Sequence, residues 1–154
     1  MDYEKLRNEL IADEGIRLKP YICPAGFLTT GVGHNLDANP LTPDQRAIIG
    51  HDGRKAPITI QQAMVILDND IDLTVSAITK ALPWFSALDG VRQRVLVNMA
   101  FNLGVDGLLK FKNTLKLIQY GHYAEASLAM LQSLWARQVG ARAKRLSKLM
   151  EKGA

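Results

Sequence analysis

Three side chains at the first change in the sequence pattern could do chemistry together: Glu14, Cys23 and Thr29. Glu14 stands between Asp13 and Gly15, where an amphipathic first helix is expected to end. A carboxylate at that boundary faces the negative end of the helix dipole, which disfavours its anion and suits a proton donor. A surface glutamate in an ion pair would have the same neighbours, so residue type alone leaves both readings open. Cys23 is the single cysteine of the chain. A thiol with an ordinary pKa of about 8.5 is neutral at pH 7, so Cys23 is either inert or held by neighbours that favour its thiolate. Thr29 brings a hydroxyl from the strand that follows.

The surrounding pattern predicts the elements that must position these groups. Leu6, Leu10 and Ile11 recur at helical spacing within residues 3–13. From Pro20 to Gly33 the run PYICPAGFLTTGVG predicts short strands joined by a turn at Pro24-Ala25-Gly26. Thr42-Pro43-Asp44-Gln45 reads as a helix start, with Thr42 as N-cap, Pro43 in the first turn and Gln45 as capping-box partner. HDGRKAP, from His51 to Pro57, is a polar loop. Thr59 and Gln62 form a second capping box, which opens a long helix that ends before Pro83. Beyond Asp89 the chain is helical in pattern, punctuated by Gly104, Gly107, Gly121 and Gly140. The expectation is an α+β fold read as one domain. Its β-containing lobe covers roughly 13–60, and helical segments cover 1–12 and 61–154. A cleft between two such lobes would suit an extended ligand.

The 154 residues are 47% hydrophobic and 22% charged, a folded rather than disordered composition. The net charge of +4 points to an acidic partner, or simply to solubility. One cysteine excludes an internal disulfide framework, and His34, His51 and His122 show no metal-ligand spacing with it; no metal or cofactor is expected. No nucleic-acid motif accompanies the basic balance, so nucleic acid is not an expected partner. The charged start MDYEKLRNEL has no signal-peptide core, and no apolar run approaches membrane-spanning length. Trp84, Phe85, Leu88 and Trp135 are read as packing residues.

The stretch from Glu14 to Tyr21 (EGIRLKPY), followed by GFLTTGVGH from Gly26 to His34, resembles the signature of phage lysozymes, the endolysins of glycoside hydrolase family 24. Glu14, Cys23 and Thr29 match its Glu, its Asp or Cys, and its Thr at both spacings. Downstream, Asp68-Asn69-Asp70-Ile71-Asp72 resembles the start of the interlobe helix, and Asn98 to Gly104 (NMAFNLG) the central core helix. Trp135 with Arg142-Ala143-Lys144-Arg145 resembles the closing segment.

The resemblance implies a lysozyme-like α+β fold, with a small β-containing N-terminal lobe joined by a long helix to a mainly helical C-terminal lobe. It implies an activity as well: hydrolysis of the β-1,4 bond between N-acetylmuramic acid and N-acetylglucosamine in peptidoglycan. Glu14 becomes the general acid. Cys23 and Thr29 take the positions that activate and orient water on the opposite sugar face, as inversion requires. Cys23 departs from the members with Asp at that position, so its role as base, nucleophile or helper stays open. His34 is implied to pair with Asp70 structurally rather than to act as a base. Arg142 matches an arginine near the catalytic Glu, and Phe101 and Asn102 match cleft-facing positions with sugar contact or packing as readings.

A lytic transglycosylase and a silent glycan- or protein-binding domain are the competing readings. A transglycosylase does not need the water that Cys23 and Thr29 would activate. The expected setting is a monomer held in the host cytoplasm, released by a separate pore, a holin, to the periplasm and wall. A basic C-terminal helix, rich in Arg and Lys from Arg137 to Lys152, is a solvated face or a contact with anionic envelope surfaces. With no additional wall-binding domain in view, a thin Gram-negative wall is the expected target.

Overall fold

The computed structural model describes all 154 residues. The chain divides into two compact units, Glu4–Asp72 and Met1–Tyr3 with Leu73–Ala154.

In the first unit, helix α1 (Tyr3–Glu14) buries Leu6 and Leu10, one turn apart on a single face. It stops at Gly15, whose φ of +74° suits glycine and whose N–H returns to the Ile11 carbonyl at 2.8 Å. The chain then forms a three-stranded antiparallel sheet, β1 (Arg17–Ile22), β2 (Leu28–Gly31) and β3 (His34–Asn35), in the order β1-β2-β3. Tyr21 pairs with Thr29 and Thr30 with His34. Pro20 lacks a ladder donor and lies in the edge strand, where the register between Arg17 and Tyr21 is irregular. The two-residue β3 was not expected from the sequence, because a strand so short has no period of its own.

Helix α2 (Pro43–Ile49) starts as the sequence predicts. Thr42 accepts from the Gln45 N–H, Gln45 accepts from the Thr42 N–H, and Pro43 opens the first turn. Residues 51–57 contain no helix or strand. The Thr59–Gln62 box is also closed in both directions, at 2.9 and 3.1 Å. It starts α3 (Ile60–Ala81), whose 22 residues span about 33 Å at 1.5 Å per residue. Leu36, Leu41, Ile49, Ile58, Ala63 and Ile66 form the core of this unit. α1 from Glu4 onward and the first half of α3 belong to this unit; Arg7 on α1 makes a two-point ion pair with Asp68 on α3, at 2.7 and 3.0 Å.

The second unit is helical. After a 3₁₀ turn (Pro83–Ala87) come α4 (Gly90–Leu103), α5 (Val105–Leu109), α6 (Lys112–Gln119), α7 (Tyr123–Leu131), α8 (Leu134–Val139) and α9 (Ala141–Lys152). Every residue of α4 from Arg94 to Ala100 is buried, which makes it the central element of the unit. Asp89 caps α4 by accepting from the Arg92 N–H. Arg92 also reaches the last carbonyls of α9: its Nε donates to Met150 O at 2.7 Å and its Nη2 to Glu151 O at 2.9 Å. Its guanidinium lies 3.4 Å from the Tyr123 ring centroid. Gly104, Gly121 and Gly140 separate helices as expected, whereas Gly107 lies inside α5, one turn beyond Leu103. No helix is long and apolar enough to cross a membrane.

Candidate active site

Glu14 and Cys23 both sit at the boundary of a regular element, Glu14 closing α1 and Cys23 following β1. Glu14 is the last residue of α1 and is half-buried. Its carboxylate is packed against the β2–β3 turn. A Cβ added at Gly33 would lie 2.9 Å from Glu14 Oε2 and 3.0 Å from its Cδ. Gly33 also has φ +59°, so both backbone and space call for glycine there. In sequence Gly33 is only part of a strand pattern, since nothing local tells a turn glycine which distant side chain it makes room for.

Cys23 follows β1 and closes the hairpin turn. Its N–H donates to Phe27 O at 2.9 Å, and its carbonyl accepts from the Gly26 N–H at 2.8 Å. Gly26 has φ +89°, as the turn requires. The thiol pKa is lowered from its ordinary value. The main cause is the Phe27 N–H; burial opposes it, and the Thr29 hydroxyl and the Ala25 and Gly26 N–H groups add to it. The turn is therefore a cradle of donors around the sulfur, and a carboxylate there would be held in the same way.

Thr29 is 3% exposed, and its hydroxyl donates to Phe27 O at 2.9 Å. The same hydroxyl lies within reach of the Cys23 sulfur, so its one proton can serve the carbonyl or a thiolate. Arg17 and Tyr21 belong to this neighbourhood as well. The Arg17 guanidinium sits 4.4 Å from the Tyr21 ring centroid. The Tyr21 pKa is raised by burial, with Arg17 opposing and the charges of Cys23 and Glu14 adding. Spacing gave no hint of these two residues as a pair, although the register of β1 is irregular between them.

His34, chemically the most suggestive residue nearby, is fully engaged. It is 7% exposed, with Nδ1 2.6 Å from Asp70 Oδ2 and Nε2 2.8 Å from the Asn39 carbonyl. Both partners are acceptors, so both ring nitrogens carry protons in the doubly bonded form. Burial works against that charge, yet the hydrogen bond and charge of Asp70, with the Asn39 carbonyl, leave the His34 pKa raised. Asp70 Oδ1 accepts from Gln45 Nε2 at 2.6 Å, so the α2 capping residue also fixes the carboxylate.

The remaining sequence candidates lie in the helical unit. Asn102 Oδ1 accepts from the indole of Trp135 at 2.7 Å, and Trp135 is buried edge-on to Phe111. Phe101 is half-buried on α4. Arg142 on α9 donates from Nε to Asn98 Oδ1 at 2.9 Å and from Nη2 to Asn98 O at 3.3 Å. Phe85 is buried as expected, but Trp84 is only half-buried. No three His, Cys, Asp or Glu side chains converge as a metal set would.

Residues 12–152 match the family model for phage lysozyme. The chain belongs to the phage lysozyme family. Two relatives from Dictyostelium discoideum, "Probable T4-type lysozyme 1" and "Probable T4-type lysozyme 2", are each 30% identical over 96% of this chain and 94% of their own length. The "Pre-baseplate central spike protein Gp5" of Enterobacteria phage T4 is 31% identical over 92% of this chain, which spans about a quarter of that longer protein. As a lysozyme the chain is a glycoside hydrolase of the muramidase type, and its substrate is peptidoglycan. Its helices with one small three-stranded sheet are the α+β lysozyme-like fold expected from the sequence.

Proposed function

We propose that this lysozyme is an endolysin that inverts the anomeric centre as it cuts peptidoglycan, with Glu14, Cys23 and Thr29 as its reacting set. Glu14 donates its proton to the glycosidic oxygen between N-acetylmuramic acid and N-acetylglucosamine. Water attacks the anomeric carbon from the opposite face, gives its proton to the Cys23 thiolate and is oriented by the Thr29 hydroxyl. The observation that carries this reading is the donor cradle at Cys23: backbone N–H groups and the Thr29 hydroxyl that favour a thiolate where a water-activating base is needed.

The anomer formed first from a soluble muropeptide oligomer tests it, followed by NMR. Inversion of a β-1,4 bond releases the α-anomer. Release of the β-anomer would make Cys23 a nucleophile that forms a thioglycosyl intermediate. Cys23→Ser is expected to cut turnover strongly and Cys23→Asp to keep much of it, while full activity of Cys23→Ala would remove the thiol from the mechanism. Because the thiol pKa is lowered, the base form gains population as pH rises toward that lowered value, and the parent's rate should rise with it.

In its biological setting the enzyme acts as a monomer made in the host cytoplasm, reaching the wall through a separate membrane pore and ending in host lysis. Exposed Lys144, Arg145, Lys148 and Lys152 on α9 would draw it to anionic envelope surfaces, an attraction that salt weakens. Cells that express the protein should lyse only when a pore-forming partner is co-expressed. Lysis without one would contradict the holin-dependent route.

A further inference from the structure

The helical unit carries a concavity of about 340 Å³ beside α6. Its composition is that of a binding surface rather than a packing gap. Leu82, Leu109 and Leu115 make an apolar lining. Trp84 is half-buried and Tyr120 is 65% exposed, so two aromatic faces are offered to solvent at some cost in exposed apolar area. Lys112 and Lys116 are both exposed and stand one helical turn apart on α6, so their ammonium groups project from one face. Neither lysine has an ion pair, and no Asp or Glu lines the concavity.

The geometry points to an accessory wall-binding site here, which takes a peptide-bearing segment of uncleaved peptidoglycan. This rests on peptidoglycan being the substrate and assigns a second point of attachment to it. The chemistries match. The apolar faces of pyranose rings and the methyl groups of alanine pack on aromatic side chains, and stem-peptide carboxylates meet paired ammonium groups. Two attachment points on one polymer raise the local concentration of strand at the reacting site without any change there.

The test is co-sedimentation with purified insoluble sacculi, using Glu14→Gln as background so that the polymer survives. Against that background, Lys112→Glu with Lys116→Glu should weaken binding about tenfold, a factor of about three for each lost contact. Trp84→Ala should weaken it several-fold. Lys112→Gln with Lys116→Gln serves as a milder pair if charge reversal disturbs folding, which a thermal melt reports. Sacculi stripped of stem peptides by an amidase should bind the background protein more weakly and no longer distinguish the lysine variants. In the active parent the lysine variants should keep their rate on short soluble oligomers while slowing on sacculi. Unchanged sedimentation of folded variants would overturn the site, as would variants that lose binding to anionic phospholipid vesicles but not to sacculi. These outcomes are independent of Glu14 chemistry, since loss of the proposed mechanism would leave the sedimentation result standing.

Discussion

Two polar assemblies in the sheet-bearing unit come from neighbouring stretches of chain and yet are built for opposite ends. Around His34 every hydrogen-bonding atom is matched: Asp70 on one ring nitrogen, Asn39 on the other, and Gln45 on the second Asp70 oxygen. Around Cys23 the donors outnumber the acceptor groups, and the sulfur stays partly accessible. A saturated buried network fixes a fold, because any change of protonation leaves an unmatched group in a low dielectric. A partly accessible sulfur whose thiolate those donors favour can take a proton from something else. The difference places the histidine, the residue type most often recruited for proton transfer, in a network that holds both its ring nitrogens.

That contrast breaks most visibly at the saturated network. Asp70→Asn leaves a buried His34 without its counter-charge and should cost about 3 kcal/mol of unfolding free energy, measured by denaturant titration. The pH dependence follows the His34 pKa, which is raised above its unfolded value near 6.5. The stabilisation is complete below that unfolded value and is lost as pH rises through the higher folded one. Asp70→Asn should flatten this slope. A parent whose stability rises with pH across that window would contradict the assignment.

At the reactive end, Gly33→Ala should act on rate before stability. The added methyl meets the Glu14 carboxylate and the αL backbone resists it, so displacement of the carboxylate should lower turnover about a hundredfold. An unaltered kcat would mean that Glu14 does not need that position. The smallest effect sharpens the contrast between two adjacent threonines. Thr29 has a partner for its hydroxyl, whereas Thr30 is fully buried with an unpartnered one. Thr30→Val should therefore raise stability by about 1 kcal/mol and leave kinetics unchanged.

The sequence carried the local part of this structure well. Capping boxes at Thr42 and Thr59, the turn after Cys23 and the stop at Gly15 are decided by residues within a few positions of one another. The proposed reacting set of Glu14, Cys23 and Thr29 rests on spacing, through the resemblance. What the sequence could not carry is whatever depends on distant partners: the contact of Gly33 with Glu14, the second bond of Gln45 to Asp70, the Arg17–Tyr21 stack, and the Arg92 clamp on the end of α9. Trp84 departs from the packing expectation for the same reason. An aromatic residue after a proline has the composition of a core cluster, and only the packed helices reveal that Trp84 is left half open.

The central claim is that Glu14 is the acid of a hydrolytic muramidase. Turbidity of outer-membrane-permeabilised Gram-negative cells, followed alongside product masses, compares the parent with Glu14→Gln most directly. Rapid clearing by the parent, hydrated muropeptides, and near-zero clearing by a Glu14→Gln protein with the parent's thermal melt are the predicted results. Clearing by folded Glu14→Gln at the parent's rate, or anhydro products from the parent, would contradict the claim.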